Sequence, residues 1–278
     1  MTDQTHPICS ILLPAYEAAG FIQATLDSIS AQTSPNIEVV VSVDLCEDAT
    51  FDICMAHAAR DRRFRVVKQG ARLGYVGNCN FLLGQARADF ALFAFHDDLI
   101  APDYVEKLAA ALVTHPTAAL SYSDMDITYV NGVREHWEFT ALVGLTSRTE
   151  RGLKMLARIP GWWVPNRGMF RMSAARRVNG LKTHDAGEYA PDWPWLFHLS
   201  LTGEFVRVPE TLCFKYYKPR SLSLGWEKTP AQLYAVSVAC MREIWTSDLT
   251  SSEKVTLAMP LMTWLVQNRP QNYLANPV

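Results

Sequence analysis

Five short, continuous apolar runs, separated by segments with helical spacing, constrain this chain more tightly than any other feature of its sequence. The runs occupy residues 8–13, 37–43, 64–67, 90–95 and 118–122, and the first stops at Pro14. They are rich in Val, Ile, Leu and Phe and too short for helices, so they read as buried strands. Between them, Phe21, Ile22, Leu26 and Ile29 recur at helical intervals within residues 18–32. Residues 51–60, 78–88 and 103–114 read as further helices, the first with Asp48 or Thr50 as its N-cap. This alternation predicts an α/β fold around a mostly parallel central sheet flanked by helices. Such sheets bind ligands outside the carboxyl ends of their strands. The polar residues that close the runs are Tyr16 and Glu17, Asp44, and His96-Asp97-Asp98, and all three groups are expected at one edge.

Composition narrows the class. Of 278 residues, 49% are hydrophobic, enough for a sizeable core in one large domain or in a core with an appendage. With 26 Lys+Arg against 28 Asp+Glu the net charge is −2, which excludes a nucleic-acid binder that works through excess basic charge. The six cysteines include no CxxC pair and suit a reduced, cytoplasmic protein. A polar N-terminus and the lack of a long apolar run predict neither a leader peptide nor a membrane span. The second half differs in character: six of the eight tryptophans lie between positions 137 and 226, and none precedes 137. The tail from 229 to 268 reads as helical, with Leu233, Val236, Cys240 and Ile244 on one face and a kink expected at Pro260.

Two groups at strand ends could carry chemistry. Asp97-Asp98 can hold a divalent ion between protein and phosphate, because hard cations take oxygen ligands; the pair equally suits a turn before the helix at Pro102. Asp44 can accept a hydrogen bond from a nucleobase N–H, or cap a helix, a role that fits Asp48 better.

A series of motifs then runs in order along the chain: Ile11-Leu12-Leu13-Pro14-Ala15-Tyr16-Glu17, Leu26-Asp27-Ser28-Ile29-Ser30-Ala31-Gln32-Thr33, residues 43–50, Arg72-Leu73-Gly74 with Asn80, His96-Asp97-Asp98 with Pro102-Asp103, residues 166–181, Pro191-Asp192 and Ser221-Leu222-Ser223. Over roughly residues 8–225 this series resembles glycosyltransferase family 2, an inverting, nucleotide-sugar-dependent group with the Rossmann-like GT-A fold. The resemblance implies a catalytic domain over 1–225, with a nucleotide half (1–125) and an acceptor half (126–225), and a C-terminal helical extension (226–278) packed on it. It implies that Pro14, Ala15, Tyr16, Glu17, Asp44, Gly74, Tyr75 and Asp97 line the nucleotide site, with Tyr16 stacking on the base and Asp44 bonded to it. It places a divalent metal, Mn2+ or Mg2+, on Asp97 and Asp98, and makes Asp192 the general base. The donor would be a UDP-, GDP- or dTDP-sugar, and the acceptor a glycan, a lipid-linked glycan or a small molecule. Around Asp192, the aromatic faces of Tyr189, Trp193 and Trp195 suit packing on sugar rings, although single tryptophans at this spacing also suit a core.

The sequence departs from the family pattern at four points. Phe95 and Val43 stand where the family has the first aspartate of two acidic motifs, Pro191 replaces a glutamate, and Lys218 replaces a late histidine. Lys218 and Arg220 can neutralise a diphosphate directly, or can form a solvated basic loop. His96 is expected to support its carboxylate neighbours rather than bind metal. The departures also motivate a second reading, a sugar-nucleotide binder without catalysis. A nucleotidyltransferase would need a Gly-rich basic loop that Pro14-Ala15-Tyr16-Glu17 does not provide. A late QxxRW motif, the mark of processive synthases, is missing, so addition of one sugar in surface-polysaccharide assembly is expected. Met259, Leu261, Met262, Trp264 and Leu265 could touch the inner face of a membrane peripherally, or pack on the catalytic domain.

Overall fold

The computed structural model describes residues 6–219 and 221–270. Its centre is one twisted sheet. The strands are β1 (Cys9–Ala15), β2 (Ile37–Val43), β3 (Phe64–Lys68), β4 (Phe90–Phe93), β5 (Asp98–Ile100), β6 (Ala118–Thr128), β7 (Arg134–Trp137), β8 (Met169–Arg171) and β9 (Glu204–Tyr216). They lie in the order β3-β2-β1-β4-β8-β6-β9-β5, with β7 paired to β6. The block β3-β2-β1-β4 is parallel throughout, β6 and β9 are parallel, and β8 runs opposite to both its neighbours. Six strands therefore share one direction, and their carboxyl ends define the edge expected from the sequence. The strand β8, from the second half of the chain, sits between β4 and β6, so one sheet runs through both expected halves.

The parallel strands are apolar on both faces because helices cover both sides. Every residue of β1 is buried, as are Leu26 and Ile29 of helix α1 (Ile22–Ser30) and Leu108 and Leu112 of α4 (Tyr104–Thr114). Pro14 does not end β1. The strand continues to Ala15 opposite Val43, while its pairing with β4 stops at Leu12, so the N–H that proline lacks has no strand to bond on that side. Helix α2 (Thr50–Ala58) starts one residue earlier than expected, with Ala49 rather than Asp48 or Thr50 at its N-cap, while Asp48 accepts from the Thr50 amide. Helix α3 (Gly74–Leu83) begins four residues before the apolar periodicity starts at Asn78, because Asp44 accepts hydrogen bonds from the backbone at its first turn.

Helix α5 (Arg148–Leu156), the short α6 (Met172–Val178) and the central α7 (Asp192–Thr202) follow. The first ten residues of α7 are buried, which fits an apolar helix enclosed between the sheet and its neighbours. Helix α8 (Pro230–Thr246) packs on α7, and α9 (Ser251–Gln267) packs on α5 and α8. Each opens on a capping box, Thr229 with Gln232 and Thr250 with Glu253. Pro260 is accommodated inside α9. All six cysteines are free thiols. No helix among the described residues is long and apolar enough to cross a membrane.

A close contact fixes the segment leading into β8. A Cβ on Gly168 would lie 2.5 Å from the Ser121 carbonyl oxygen and 2.9 Å from that of Pro165. Gly168→Ala is expected to lower the unfolding free energy by roughly 1–3 kcal/mol, the usual cost of overpacking against backbone. An unchanged urea midpoint would show that β6 and this segment can separate freely.

Candidate functional site

At the carboxyl edge of the sheet lies a cleft of about 840 Å³. Its walls are loops that carboxylates fasten to the strand ends. Asp48 accepts from the Ala19 and Thr50 amides, and Thr50 Oγ1 accepts from the Ala18 amide, tying the segment after β2 to the one after β1. The buried Asp44 accepts from the Leu73 and Gly74 amides at 2.7 and 2.9 Å. Gly74 has φ +70°, and a Cβ there would meet the Glu188 carboxylate, which accepts from the Tyr75 amide. Only glycine fits that turn without strain.

Of the twelve residues singled out in the sequence eleven are described, and ten of these line this cleft: Pro14, Ala15, Tyr16, Glu17, Asp44, Gly74, Tyr75, Asp97, Asp192 and Lys218. Tyr16 donates to Glu17, and the Arg72 guanidinium stacks over its ring at 4.2 Å. Lys218 lies over the rings of Phe21 and Tyr216. Arg220 lies outside the described residues.

The exception among the described residues is Asp98, which does not line the cleft. Its carboxylate is buried and accepts from Arg167 Nε at 2.9 Å. Burial works against the Arg167 charge, but Asp98 more than offsets this and holds the guanidinium above its ordinary pKa. Asp97 does face the cleft. Burial would raise its pKa, yet Lys215, then His96 and Arg167, keep it below the usual carboxylate value. It accepts from the Ser221 hydroxyl at 3.0 Å, and Lys215 Nζ stands 3.7 Å from both Asp97 and Asp98. His96 does not bond to these carboxylates; its Nδ1 pairs with the Pro14 carbonyl at 3.1 Å. Phe95 packs under the Arg167 guanidinium at 4.7 Å.

This floor is a poor fit for a divalent ion. Among the described residues no three His, Cys, Asp or Glu side chains gather as a cation site. One carboxylate is turned away to an arginine, and the other already faces an ammonium. Hard cations need several oxygen ligands, and this floor holds Phe95, Lys215 and Lys218.

Asp192 is the first residue of α7, just after a strained turn in which Ala190 adopts φ +45°. Its Oδ2 accepts from Asn166 Nδ2 at 3.1 Å, and the same amide reaches the Tyr75 hydroxyl at 3.4 Å. Burial pushes the Asp192 carboxyl up to about 6, although Arg167 and Lys215 oppose the rise. Asp192 Oδ1 is buried and has no partner among the described residues. Four of the six side-chain atoms in that condition belong to residues of this cleft, namely Asn78, Asn166, Asp192 and Trp226. Such atoms are costly without a partner, so their concentration marks a polar ligand's place.

The tryptophans differ in place, and Trp193 is as deeply buried as Trp195 although it borders the cleft. Trp195 packs edge-on against Phe170 in the core. Trp162, Trp163, Trp193 and Trp226 line the cleft near Asp192, with Arg158 held between Trp193 and Trp264. The sequence reading passed over Arg167, Asn166, Glu188 and Lys215. The available signal was charge within apolar context: Lys215 lies between Phe214 and Tyr216 in a buried strand.

The model for the family described as Glycosyl transferase family 2 matches residues 10–175. The putative glycosyltransferase EpsH of Bacillus subtilis (strain 168) is 32% identical over 145 residues, 47% of this chain and 42% of that one. The chain thus spans less than half of that relative's length. S. aureus TarS 1–349 in complex with UDP-GlcNAc superposes with a TM-score of 0.69 at 19% identity, over 95% of this chain and 74% of that chain. The mannosyltransferase PcManGT from Pyrobaculum calidifontis, in complex with GDP-Man and Mn2+, superposes with a TM-score of 0.60 at 16% identity, over 96% and 85%. These two likenesses show a shared fold.

The position of Asp98 carries a prediction. Arg167→Met leaves a buried carboxylate without its hydrogen-bonded cation, and is expected to cost roughly 3–5 kcal/mol of unfolding free energy. Denaturant titration with and without nucleotide measures it; a loss confined to nucleotide binding would mean that Asp98 is not held by Arg167.

Proposed function

Because the chain belongs to glycosyl transferase family 2, we propose that it transfers one sugar, with inversion, from a nucleotide-diphosphate sugar to an acceptor hydroxyl. The observation that carries this reading is Asp192: a buried carboxylate with one unpartnered oxygen, facing a cleft at the carboxyl ends of the strands. With its pKa lifted to about 6, it is a stronger base than an ordinary aspartate and is still ionised at neutral pH. In the proposed reaction Asp192 takes the acceptor's proton. The acceptor oxygen forms a bond to the anomeric carbon, and the bond from that carbon to the diphosphate oxygen breaks. Asn166 fixes the carboxylate's orientation by donating to Oδ2.

The nucleotide is assigned to the end of the cleft bordered by Tyr16, Asp44, Gly74 and Tyr75, and its diphosphate to the floor around Asp97. Lys218 and Arg220 are proposed as cationic partners of the leaving group. The nucleotide sugars named with the structural relatives, UDP-GlcNAc and GDP-Man, make uridine and guanosine donors the first to try. The acceptor is placed against Trp162, Trp163 and Trp226, whose faces suit a sugar ring. Polysaccharide assembly beside the cytoplasmic face of a membrane is the proposed setting.

The retention of a costly buried base favours this reading over an inactive binder. Asp192→Asn is expected to reduce kcat about 100-fold or more while donor binding changes little. The wild-type kcat/KM should rise with pH through a limb near pH 6, since the base must be ionised. The stability effect has the opposite sign. A carboxylate whose folded pKa exceeds its unfolded value costs stability that grows between the two and persists above them. Asp192→Asn removes that cost, so its unfolding free energy at pH 7 should equal or exceed that of wild type. Full turnover by Asp192→Asn with any donor and acceptor would sink the assignment.

A further inference from the structure

We infer that the donor's diphosphate is held by the chain's own cations, with the Lys215 ammonium standing at Asp97 where a divalent ion would otherwise bind. The inference rests on the nucleotide-sugar reading and deepens it by assigning the groups that neutralise the donor.

Lys215 projects from β9, opposite Asp98 of β5 in the antiparallel register. Its side chain is only 8% exposed, yet it lines the cleft. The ammonium lies 3.7 Å from Asp97 Oδ2 and 3.7 Å from Asp98 Oδ1. Both separations exceed hydrogen-bond length, so the N–H donors are held by charge without being consumed. The Tyr217 ring lies under Nζ at 4.6 Å and limits its swing. This is an ammonium held in place with its donors still available to anionic oxygens.

Charge around it points the same way. Asp97 and Asp98 are already balanced by Lys215 and Arg167, and Lys218 adds a further cation at the mouth. A dication bound about 2 Å from Asp97 Oδ2 would stand beside the Lys215 ammonium with a single carboxylate to offset both. A diphosphate in the same place meets attraction from Lys215 and Lys218. Phe95 is an independent sign, because an aromatic ring against Arg167 occupies the floor where a further carboxylate would assist a metal. Compact ammonium groups are effective partners for phosphate oxygens.

The test is calorimetric titration of the full chain with UDP, GDP and dTDP, first in EDTA and then in Mn2+. The expected result is that at least one diphosphate binds in EDTA with a dissociation constant within about threefold of that in Mn2+. Lys215→Met should weaken that binding about tenfold or more, Lys215→Arg should recover most of it, and the matching monophosphate should be much less affected. Binding that vanishes in EDTA and returns with Mn2+ overturns the inference but leaves the nucleotide-sugar reading standing. So does binding in EDTA that Lys215→Met leaves unchanged. No binding of any of the three under either condition overturns both. Should Lys215→Met not fold, the comparison of EDTA with Mn2+ on the wild-type chain decides alone.

Discussion

The buried ion pair between Arg167 and Asp98 joins the two halves of this chain at the place where the cleft is built. Asp98 begins β5, and Arg167 ends the turn that leads into β8. Their 2.9 Å contact therefore sets how far the second half stands from the first strands. Tyr104 extends the tie, donating from α4 to the Arg167 carbonyl at 2.5 Å. A buried pair of this kind is weak evidence for net stability, since desolvation offsets much of the attraction. Its consequence is geometric. It places Asn166, one residue earlier, within reach of both Asp192 and Tyr75, so the orientation of the candidate base depends on an ion pair that bonds to neither of them.

The same constraint explains why carboxylates that look alike in sequence behave differently. Asp97 and Asp98 are neighbours, but Asp97 lies in the turn before β5 while Asp98 begins the strand and is taken up by Arg167. One reaches the cleft and the other the interior. Asp44 is spent on backbone amides, where it shapes the first turn of α3. Asp192 is buried with an oxygen unengaged and, unlike Asp98, lines the cleft, and burial lifts its pKa. Four aspartates near one sheet edge thus divide into a cleft-lining group, a structural anion, a loop anchor and the proposed base.

The fold was legible because its information is local. Continuous apolar runs specify strands buried on both faces, and helical spacing specifies what lies between them. The site was legible where a strand end or a motif marks it, as at Tyr16, Asp44, Asp97 and Asp192. What escaped was pairing across distance. Nothing near position 215 shows that β9 will lie beside β5 and bring Lys215 to Asp97, and nothing near position 167 names Asp98 as its partner. The same holds for Asp97 and Asp98: only Asp97 lines the cleft, while Asp98 accepts from the distant Arg167. Gly74 was placed correctly, but its necessity rests on Glu188, more than a hundred residues away.

The departures from the family pattern are coherent once the charges are followed in three dimensions. Loss of a carboxylate at Phe95 and gain of a cation at Lys218 both shift the floor of the cleft toward positive charge. Lys215 shifts it further from within the sheet. A chain drifting away from activity would relax these positions independently and would be free to discard Asp192, whose burial carries a stability cost once it ionises. Here the carboxylate is kept, held by Asn166 and raised by burial, while the cations accumulate where a leaving diphosphate would need them. On the proposed reading, a base opposite a cationic phosphate floor is the arrangement that transfer requires, and a binder without catalysis would need only the second.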